Sequence, residues 1–414
     1  MYLAKNIKIQ VTEEQAIVLN CMCYAASKLW NVANYEKRNY KELKLPKYPN
    51  WYDQKRRLKD SFWYKNLHSQ TAQELLNQLE QAWKSFFALK KSGGVKNPKP
   101  PRFKQKPISC RFLNKGFKRE GNNFRLSVSK RTREYILTTH NVDAKYINLE
   151  IEYFSDIKNI KQCEVKPLGG SEFDFVVTYQ IADVEPLADN GRYLSIDLGL
   201  KNLAACYSNQ GDGFVISGNR YLNAQYYFNK QIAHYQGISA AQQSANGVKF
   251  PKPSKKVLAL YAKKRHIIND LLHKSTRFIV DYCVENDIRT VVIGDITGIR
   301  EDNSLGSKTN QSFHALPFAR FYFQLEYKLK LAGITVLKQK ESYTSQCSPT
   351  STKVNKAHAV KNNRKHRGLY NDSGVIYNAD MVGAYNILRL WSHKTKTLIN
   401  TPMSGLSNPL KVTV

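Results

Sequence analysis

The run Tyr193-Leu-Ser-Ile-Asp-Leu-Gly-Leu-Lys-Asn-Leu-Ala-Ala-Cys-Tyr207 places one carboxylate, Asp197, inside a stretch that otherwise reads as sheet interior. Burying an unpaired carboxylate is expensive, so its presence there wants a reason. Tyr193 to Ile196 reads as a buried strand, Gly199 permits a tight turn, and Leu203 to Tyr207 returns as a second strand. Asp197 then stands at the carboxyl end of a central strand, where ligands and metals collect in such sheets. The plainer alternative is an Asp that ends a strand and opens a turn.

The downstream pattern decides between them. Gly213 to Ile216 supplies a third strand, and a polar segment over 218–253 covers one face or is partly flexible. Lys255 to Asp287 is a long basic helix whose His273 is read as surface or phosphate-facing. Thr290 to Asp295 is a buried strand, Phe313 to Ala332 a helix, Ile334 to Leu337 a strand, and Ala379 to Trp391 a last helix with Asp380 in its first turn. This is the ribonuclease H order, in which strand one pairs with strand four and strand four with strand five. Asp197, Asp295 and Glu341 then lie at or just past adjacent strand ends, with Asp380 brought to the same edge.

Carboxylates so close repel unless a cation neutralises them, and hard oxygen ligands suit Mg²⁺ or Mn²⁺. Two such ions about 4 Å apart activate a water and stabilise the leaving oxygen in phosphodiester hydrolysis. Asp197, Glu341 and Asp380 are the expected catalytic and metal-binding set, with Asp295 as the alternative to Glu341. Glu341 lies roughly 9 to 10 Å from Asp197 across two strand spacings, a range a glutamate can lean over. Asp295 is on the adjacent strand, but its parity puts it on the face of Ile293, expected to be buried against a helix.

Upstream, Leu3, Ile7, Ile9 and Val11 alternate as a half-buried strand, and Thr12-Glu-Glu-Gln15 has capping-box spacing. Leu19, Cys23, Ala26, Trp30 and Ala33 then form one apolar helical stripe, with Trp30 read as core. A second strongly periodic helix carries Ala72, Leu75, Leu76, Leu79, Trp83, Phe86 and Phe87. The aromatics of 51–65 interleave with Lys55, Arg56 and Arg57, which suits a nucleic-acid groove. The Pro-, Gly- and Lys-rich stretch from Lys90 marks a boundary, and Lys96, Lys99, Arg102 and Lys104 are spaced along it as a backbone track. Short alternating runs at Phe124 to Val128, Tyr135 to Thr138 and Phe173 to Tyr179, with a Gly169-Gly170 turn, read as an antiparallel barrel or sandwich. Lys130, Arg131 and Lys274 complete the candidate nucleic-acid contacts.

Lys and Arg number 64 against 33 Asp and Glu, a formal net charge of +31. Such an excess self-repels unless a polyanion accompanies it, which points to nucleic acid. No long apolar span or signal peptide stands in the chain, so no membrane partner and a cytoplasmic, nucleoid-associated location are expected. Seven scattered cysteines read as reduced core residues, not a disulfide framework.

Four stretches carry a resemblance: Ile196-Asp-Leu-Gly-Leu-Lys-Asn-Leu-Ala, Val292-Ile-Gly-Asp-Ile-Thr-Gly-Ile-Arg, Glu341-Ser-Tyr-Thr-Ser-Gln-Cys and Asn378-Ala-Asp-Met-Val-Gly-Ala-Tyr-Asn-Ile-Leu. They resemble the RuvC motifs of TnpB, a transposon-encoded family similar to the ancestors of type V CRISPR effectors. The resemblance implies an RNA-guided DNA endonuclease: a RuvC nuclease domain of ribonuclease H-like α/β fold, preceded by a β-barrel wedge domain with an inserted helical recognition domain. On that reading residues 1–12 and 100–189 form the wedge, 13–99 the recognition domain, 190–345 and 371–414 the nuclease, and 346–370 a degenerate zinc-ribbon-like insertion. Its partners would be a noncoding guide RNA and double-stranded target DNA read beside a short adjacent motif, with one protein monomer per RNA.

Two departures from that family bear on function. Its paired Cys-x-x-Cys ribbon is missing, since only Cys347, His358 and His366 are available here, and no zinc is expected. Gly294 stands where many relatives have a catalytic Glu. That loss raises the alternative of a guided DNA binder, a repressor with weak or no cleavage. A strand-transfer transposase without a guide is the third class.

Overall fold

The computed structural model describes residues 1–93, 95–295, 311, 316–364 and 366–414. The chain divides into two compact units, Met1–Ala182 and Asp183–Val414. The amino-terminal part of the helix expected from Phe313, and the end of the motif beginning at Val292, lie outside the described residues.

In the first unit, β1 (Tyr2–Gln10) leads into α1 (Glu13–Arg38). The Thr12 side chain caps Gln15 N, and the Gln15 side chain returns the bond to Thr12 N. Helices α2 (Trp51–Leu58), α3 (Phe62–Lys65) and α4 (Ser69–Ser92) follow. Leu19, Cys23, Ala26, Trp30 and Ala33 of α1 and Ala72, Leu75, Leu76, Leu79 and Trp83 of α4 are all buried in one apolar cluster. Then come β2 (Cys110–Leu113), β3 (Phe117–Glu120), β4 (Asn123–Ser127), α5 (Lys130–His140), β5 (Tyr146–Glu150), β6 (Ile160–Gly169) and β7 (Glu172–Gln180). The strands form a sheet of order β1-β7-β6-β2 and another of order β3-β4-β5. Gly169 and Gly170 both take positive φ where β6 turns into β7.

Tyr135 to Thr138, expected as a strand, is the second half of α5. Ser129 caps Thr132 N, Thr132 and Ile136 bury one turn apart, and Asn141 ends the helix in the left-handed region. Of that run only Ile136 buries, while Tyr135, Leu137 and Thr138 are exposed on a helix anchored by two positions, so local strand propensity loses to tertiary packing.

The second unit is built on β8 (Tyr193–Leu198), β9 (Asn202–Ser208), β10 (Gly213–Ser217), β11 (Thr290–Asp295), β12 (Thr335–Lys340) and β15 (Leu410–Val412), with a hairpin of β13 (Leu369–Asp372) and β14 (Val375–Asn378) beside it. The main sheet runs β12-β11-β8-β9-β10-β15. Strand β8 pairs antiparallel with β9 and parallel with β11, and β11 pairs parallel with β12. That is the ribonuclease H order expected from the sequence. Helices α6 (Asn219–Ala245), α7 (Lys255–Glu285) and α8 (Phe318–Leu331) accompany it, and the last helix is α9 (Ala379–Thr395).

The polar segment over 218–253 is thus mostly helix. Its signal is thin: Tyr221, Gln225, Phe228 and Ile232 alone are buried, at four-three-four spacing. Leu194, Ile196, Val291 and Ile293 bury with residues of α7 and α8 on one face. Tyr193, Val292, Ala205 and Tyr207 bury with α9 residues Met381, Ala384 and Leu388 on the other. His273 is half-buried; its Nε2 lies 3.0 Å from the Gln324 amide of α8, and burial with the nearby Lys328 holds its pKa below the ordinary value.

Candidate active site

Alternation along β8 places Asp197 with Tyr193 and Ser195 on the α9 face of the sheet. Ser195 Oγ donates to the Ala384 carbonyl at 2.7 Å, which fixes β8 against that helix. Asn378 caps α9 by accepting from Asp380 N and Met381 N, so Asp380 opens the first turn at the sheet edge. One turn on, Gly383 shares its helical face. A Cβ there would stand 2.3 Å from Asp197 Oδ2, so only glycine admits the aspartate.

The other expected acid, Glu341, stands just past β12. Gly294 pairs with Gln339 of β12, one residue past the last β11–β8 pair of Ile293 with Ile196, and shares the α9 face with Val292. Glu341 follows β12 with the same parity as Gln339. Its carboxylate lies across Gly294: a Cβ at 294 would be 1.6 Å from Glu341 Oε1 and 2.9 Å from its Cγ. The glutamate's own side chain thus fills the space that a side chain at 294 would need. The turn behind it is held by Asn386 of α9, whose Nδ2 donates to the carbonyls of Thr344 at 2.8 Å and Cys347 at 2.9 Å.

The electrostatics are those of a group of like charges. Burial, then the charges of Glu341 and Asp380, push the Asp197 carboxyl well above its usual range, with Arg364 opposing. Asp197 is enclosed by protein yet keeps partial solvent access. Burial and then Asp295 raise Glu341 to about 7. Among the described residues, Glu341 Oε1 is the one buried carboxylate oxygen without a hydrogen-bond partner. Asp380 Oδ2 accepts from Asn202 Nδ2 at 2.8 Å, and its Oδ1 lies 3.7 Å from the Arg364 guanidinium. Asp295 follows Ile293 onto the opposite parity, and Ile293 is fully buried against α7 and α8.

The donor chemistry suits a hard divalent cation: carboxylate oxygens only, one of them orphaned, and two carboxyls raised in pKa by burial first and by neighbouring carboxylates second. Among the described residues no group of three His, Cys, Asp or Glu side chains stands close enough together to hold a metal ion as the side chains lie. Asp197, Glu341 and Asp380 are the residues that would hold the ion. Asn202, Arg364 and Asn386 escaped the sequence reading because each acts through a partner remote in the chain.

The predicted basic residues divide. Arg57 is ion-paired to Glu36 at 2.6 Å, and Lys274 to Asp270 at 2.8 Å. Arg56, Lys96, Lys99, Arg102 and Lys130 are exposed, and Lys55 is half-buried. Arg131 stacks its guanidinium 4.3 Å over Phe62, and Lys104 sets its ammonium 4.7 Å over Trp30. Cys347 is buried with its Sγ on the Asn355 carbonyl, while His358 Nδ1 lies 2.8 Å from Asn355 Oδ1. All seven cysteines are free thiols. Among the described residues no helix is long and apolar enough to cross a membrane.

The family model OrfB_IS605, a probable transposase, matches residues 176–300, and the Cas12f1-like TNB domain matches 318–387. The chain is 23% identical over 395 residues to the TnpB-like protein ORF457 of Acidianus two-tailed virus, covering 88% of this chain and 81% of that protein. It is also 23% identical over 200 residues to the TnpB-like protein MJ0751 of Methanocaldococcus jannaschii, covering 47% of this chain and 68% of that one. In structure it is similar to the Cas12f1 protein of a Cas12f1–sgRNA–target DNA complex, with TM-score 0.61, 17% identity, and 91% and 83% of the two chains covered. It is likewise similar to the mini-RNA-guided endonuclease CRISPR-Cas_phi3, with TM-score 0.56, 10% identity, and 97% and 93% covered. With a ribonuclease H-ordered sheet under these matches, the chain is similar to TnpB-like proteins over most of its length, and the findings together support a TnpB-family protein.

Proposed function

We propose that this protein is an RNA-guided DNA endonuclease of a transposable element, cutting target DNA beside a short adjacent motif by metal-assisted phosphodiester hydrolysis. Asp197, Glu341 and Asp380 are the metal-binding acids, and Glu341 does from β12 the work of a glutamate at position 294. The observation that carries this reading is the Glu341 carboxylate, lying across the bare Gly294 with a buried oxygen unpartnered. A bound Mg²⁺ would activate a water and stabilise the leaving oxygen there. Asn202 and Arg364 hold Asp380 in place, and Asn386 holds the turn that carries Glu341. Residues 1–12 and 100–189 act as wedge, 13–99 as recognition domain, 190–345 and 371–414 as nuclease, and 346–370 as a ribbon without its metal. The guide is a noncoding RNA, as the relatives' complexes with guide RNA and the +31 charge support. The filled space at Gly294 favours cleavage over the binder without activity.

The protein purified from its native locus should carry one defined RNA, identified by sequencing the extracted nucleic acid. In guided plasmid cleavage with Mg²⁺, Asp197→Ala, Asp380→Ala and Glu341→Gln should each lose more than the ~10–100-fold that an outer partner costs, with target binding kept. Asp295→Asn should have a modest effect. Wild-type cutting by Glu341→Gln together with a dead Asp295→Asn would return the second acid to β11, and random cellular RNA would sink the guide.

A further inference from the structure

The first unit holds an apolar cavity of about 560 Å³ between α1, α3 and α5, walled by the rings of Tyr24, Phe62, Trp63 and Tyr135. Nothing in the nuclease reading uses it. Three of those rings stay open to solvent, Tyr24 at 46%, Phe62 at 50% and Tyr135 at 51%, although aromatic surface of this size normally buries. Tyr24 and Phe62 each stand edge-on to Trp63, at 5.8 and 4.8 Å between centroids, so the rings are fixed relative to one another before any ligand arrives.

The rim is cationic. The Arg131 guanidinium lies 4.3 Å over the Phe62 ring, and the Lys28 ammonium 4.9 Å over Tyr24. At the wall, the Asn20 and Asn66 amides donate to the carbonyls of Gly170 and Phe62, which orients both side chains, and each keeps its carbonyl oxygen as an acceptor. Stacking faces, cations at the rim and acceptors at the wall together match a flat, N–H-bearing ring attached to a phosphate. An apolar peptide or an acyl chain would use the rings but neither the cations nor the acceptors.

We infer that this pocket takes one unpaired base of the bound RNA, an anchor that reads stacking and backbone charge instead of sequence. The inference rests on the proposed RNA partnership. Proteins grip single-stranded RNA by splaying bases onto aromatic and guanidinium planes, whereas a duplex keeps its bases stacked inside.

Cys21 lines the same cavity and is the one cysteine of the seven that is not fully buried, so its alkylation reports occupancy. Maleimide labelling of Cys21 is followed by mass spectrometry on the copurified ribonucleoprotein, on protein stripped of RNA, and on stripped protein saturated with oligouridylate 12-mer, its abasic counterpart or its deoxy counterpart. Protection by copurified RNA and by oligouridylate, but not by the abasic chain, is expected. Phe62→Ala and Tyr135→Ala, at half-exposed positions, should each weaken oligouridylate binding roughly ten-fold. They should leave the salt slope unchanged, because no phosphate contact is removed. RNA that binds with wild-type affinity yet leaves Cys21 labelling unaltered overturns the pocket while the guided-nuclease reading stands. Protection by the abasic chain equal to that by oligouridylate overturns the base pocket, protection by the deoxy chain alone overturns the assignment to RNA, and protein that binds no RNA overturns both readings.

Discussion

The two units treat buried charge in opposite ways. In the first, Lys37 is almost wholly buried, and its ammonium donates at 2.6 Å both to Glu80 and to the Pro49 carbonyl. Glu36 is likewise closed off by Arg57 and by the Gln54 amide. Each desolvated charge there meets an opposite charge or a strong hydrogen bond, and the helices α1, α2 and α4 are locked in one arrangement by it. In the second unit Asp197 and Glu341 are enclosed among other carboxylates, and a Glu341 oxygen is left with nothing. Folding alone supplies no counter-charge to such an arrangement, and the proposed metal ion would supply one. Satisfied buried charge marks scaffold, and unsatisfied buried charge of one sign marks a place where a counter-charge binds.

The sharpest way to break that contrast is to remove one charge from each side. Glu80→Gln leaves Lys37 buried without its counter-ion and should cost about 3–5 kcal/mol of stability. Glu341→Gln should do the reverse in EDTA, relieving repulsion and raising the melting temperature of the second unit. The sign with pH follows from Glu341, whose folded pKa is about 7 against ~4.3 in an unfolded chain. Between those values the folded carboxyl keeps a proton that the unfolded one releases, so this group's contribution is full below about pH 4 and is lost as pH rises through 7. Thermal unfolding in EDTA at pH 5 and pH 8 should show a larger loss in the parent than in Glu341→Gln. Equal losses would mean that the Glu341 carboxyl is not held protonated by its neighbours.

A smaller change probes the same site without removing a ligand. Gly294→Ala puts a methyl where Glu341 Oε1 now lies, and since that atom ends a flexible side chain, the glutamate swings out while the strand survives. Guided cleavage should fall about 10–100-fold with melting temperature nearly unchanged. Moving the acid instead, with Gly294→Glu and Glu341→Ala together, should recover part of the loss of Glu341→Ala alone. Wild-type cutting by Gly294→Ala would show that Glu341 does not need the space over Gly294.

What could be read from the chain follows the same division. Asp197 was visible because a lone carboxylate in an apolar strand is a local anomaly, and the strand order followed from alternation and length. Glu341 was visible only through that order, as a residue past the fifth strand whose reach crosses a glycine. The α5 helix was not, because Tyr135 to Thr138 carries strand-like residues on a helix held by Thr132 and Ile136 alone. Nor was α6, whose four buried positions are diluted by polar residues. Asn202, the first residue of β9, and Arg364 show no role in the sequence until folding brings them to Asp380, 178 residues away for the asparagine. No period or motif encodes a contact of that range.

The mildest test concerns the basic segment after α4. Its backbone is no free linker: the Pro101 carbonyl accepts from Asn34 and Arg38, the Arg102 carbonyl from Trp30, and the Lys104 peptide is bracketed by Asn31 on both its N–H and its carbonyl. A chain pinned this way along α1 holds the exposed Arg102 in place, which lowers the entropy lost when it meets a phosphate backbone, while the exposed Lys96 and Lys99 precede the pinned peptides. Each alanine that removes a phosphate contact should reduce the log–log salt slope by about 0.9 on duplex DNA or roughly 0.7 on a single strand. Lys104→Ala should do least, because its ammonium already sits over the Trp30 ring and gains less from a phosphate. Nucleic-acid affinity measured from low to high salt for the single and quadruple variants checks the ranking. If the quadruple variant keeps both the parent's affinity and its slope, the pinned segment is scaffold, and its lysines belong with the satisfied charges of the first unit.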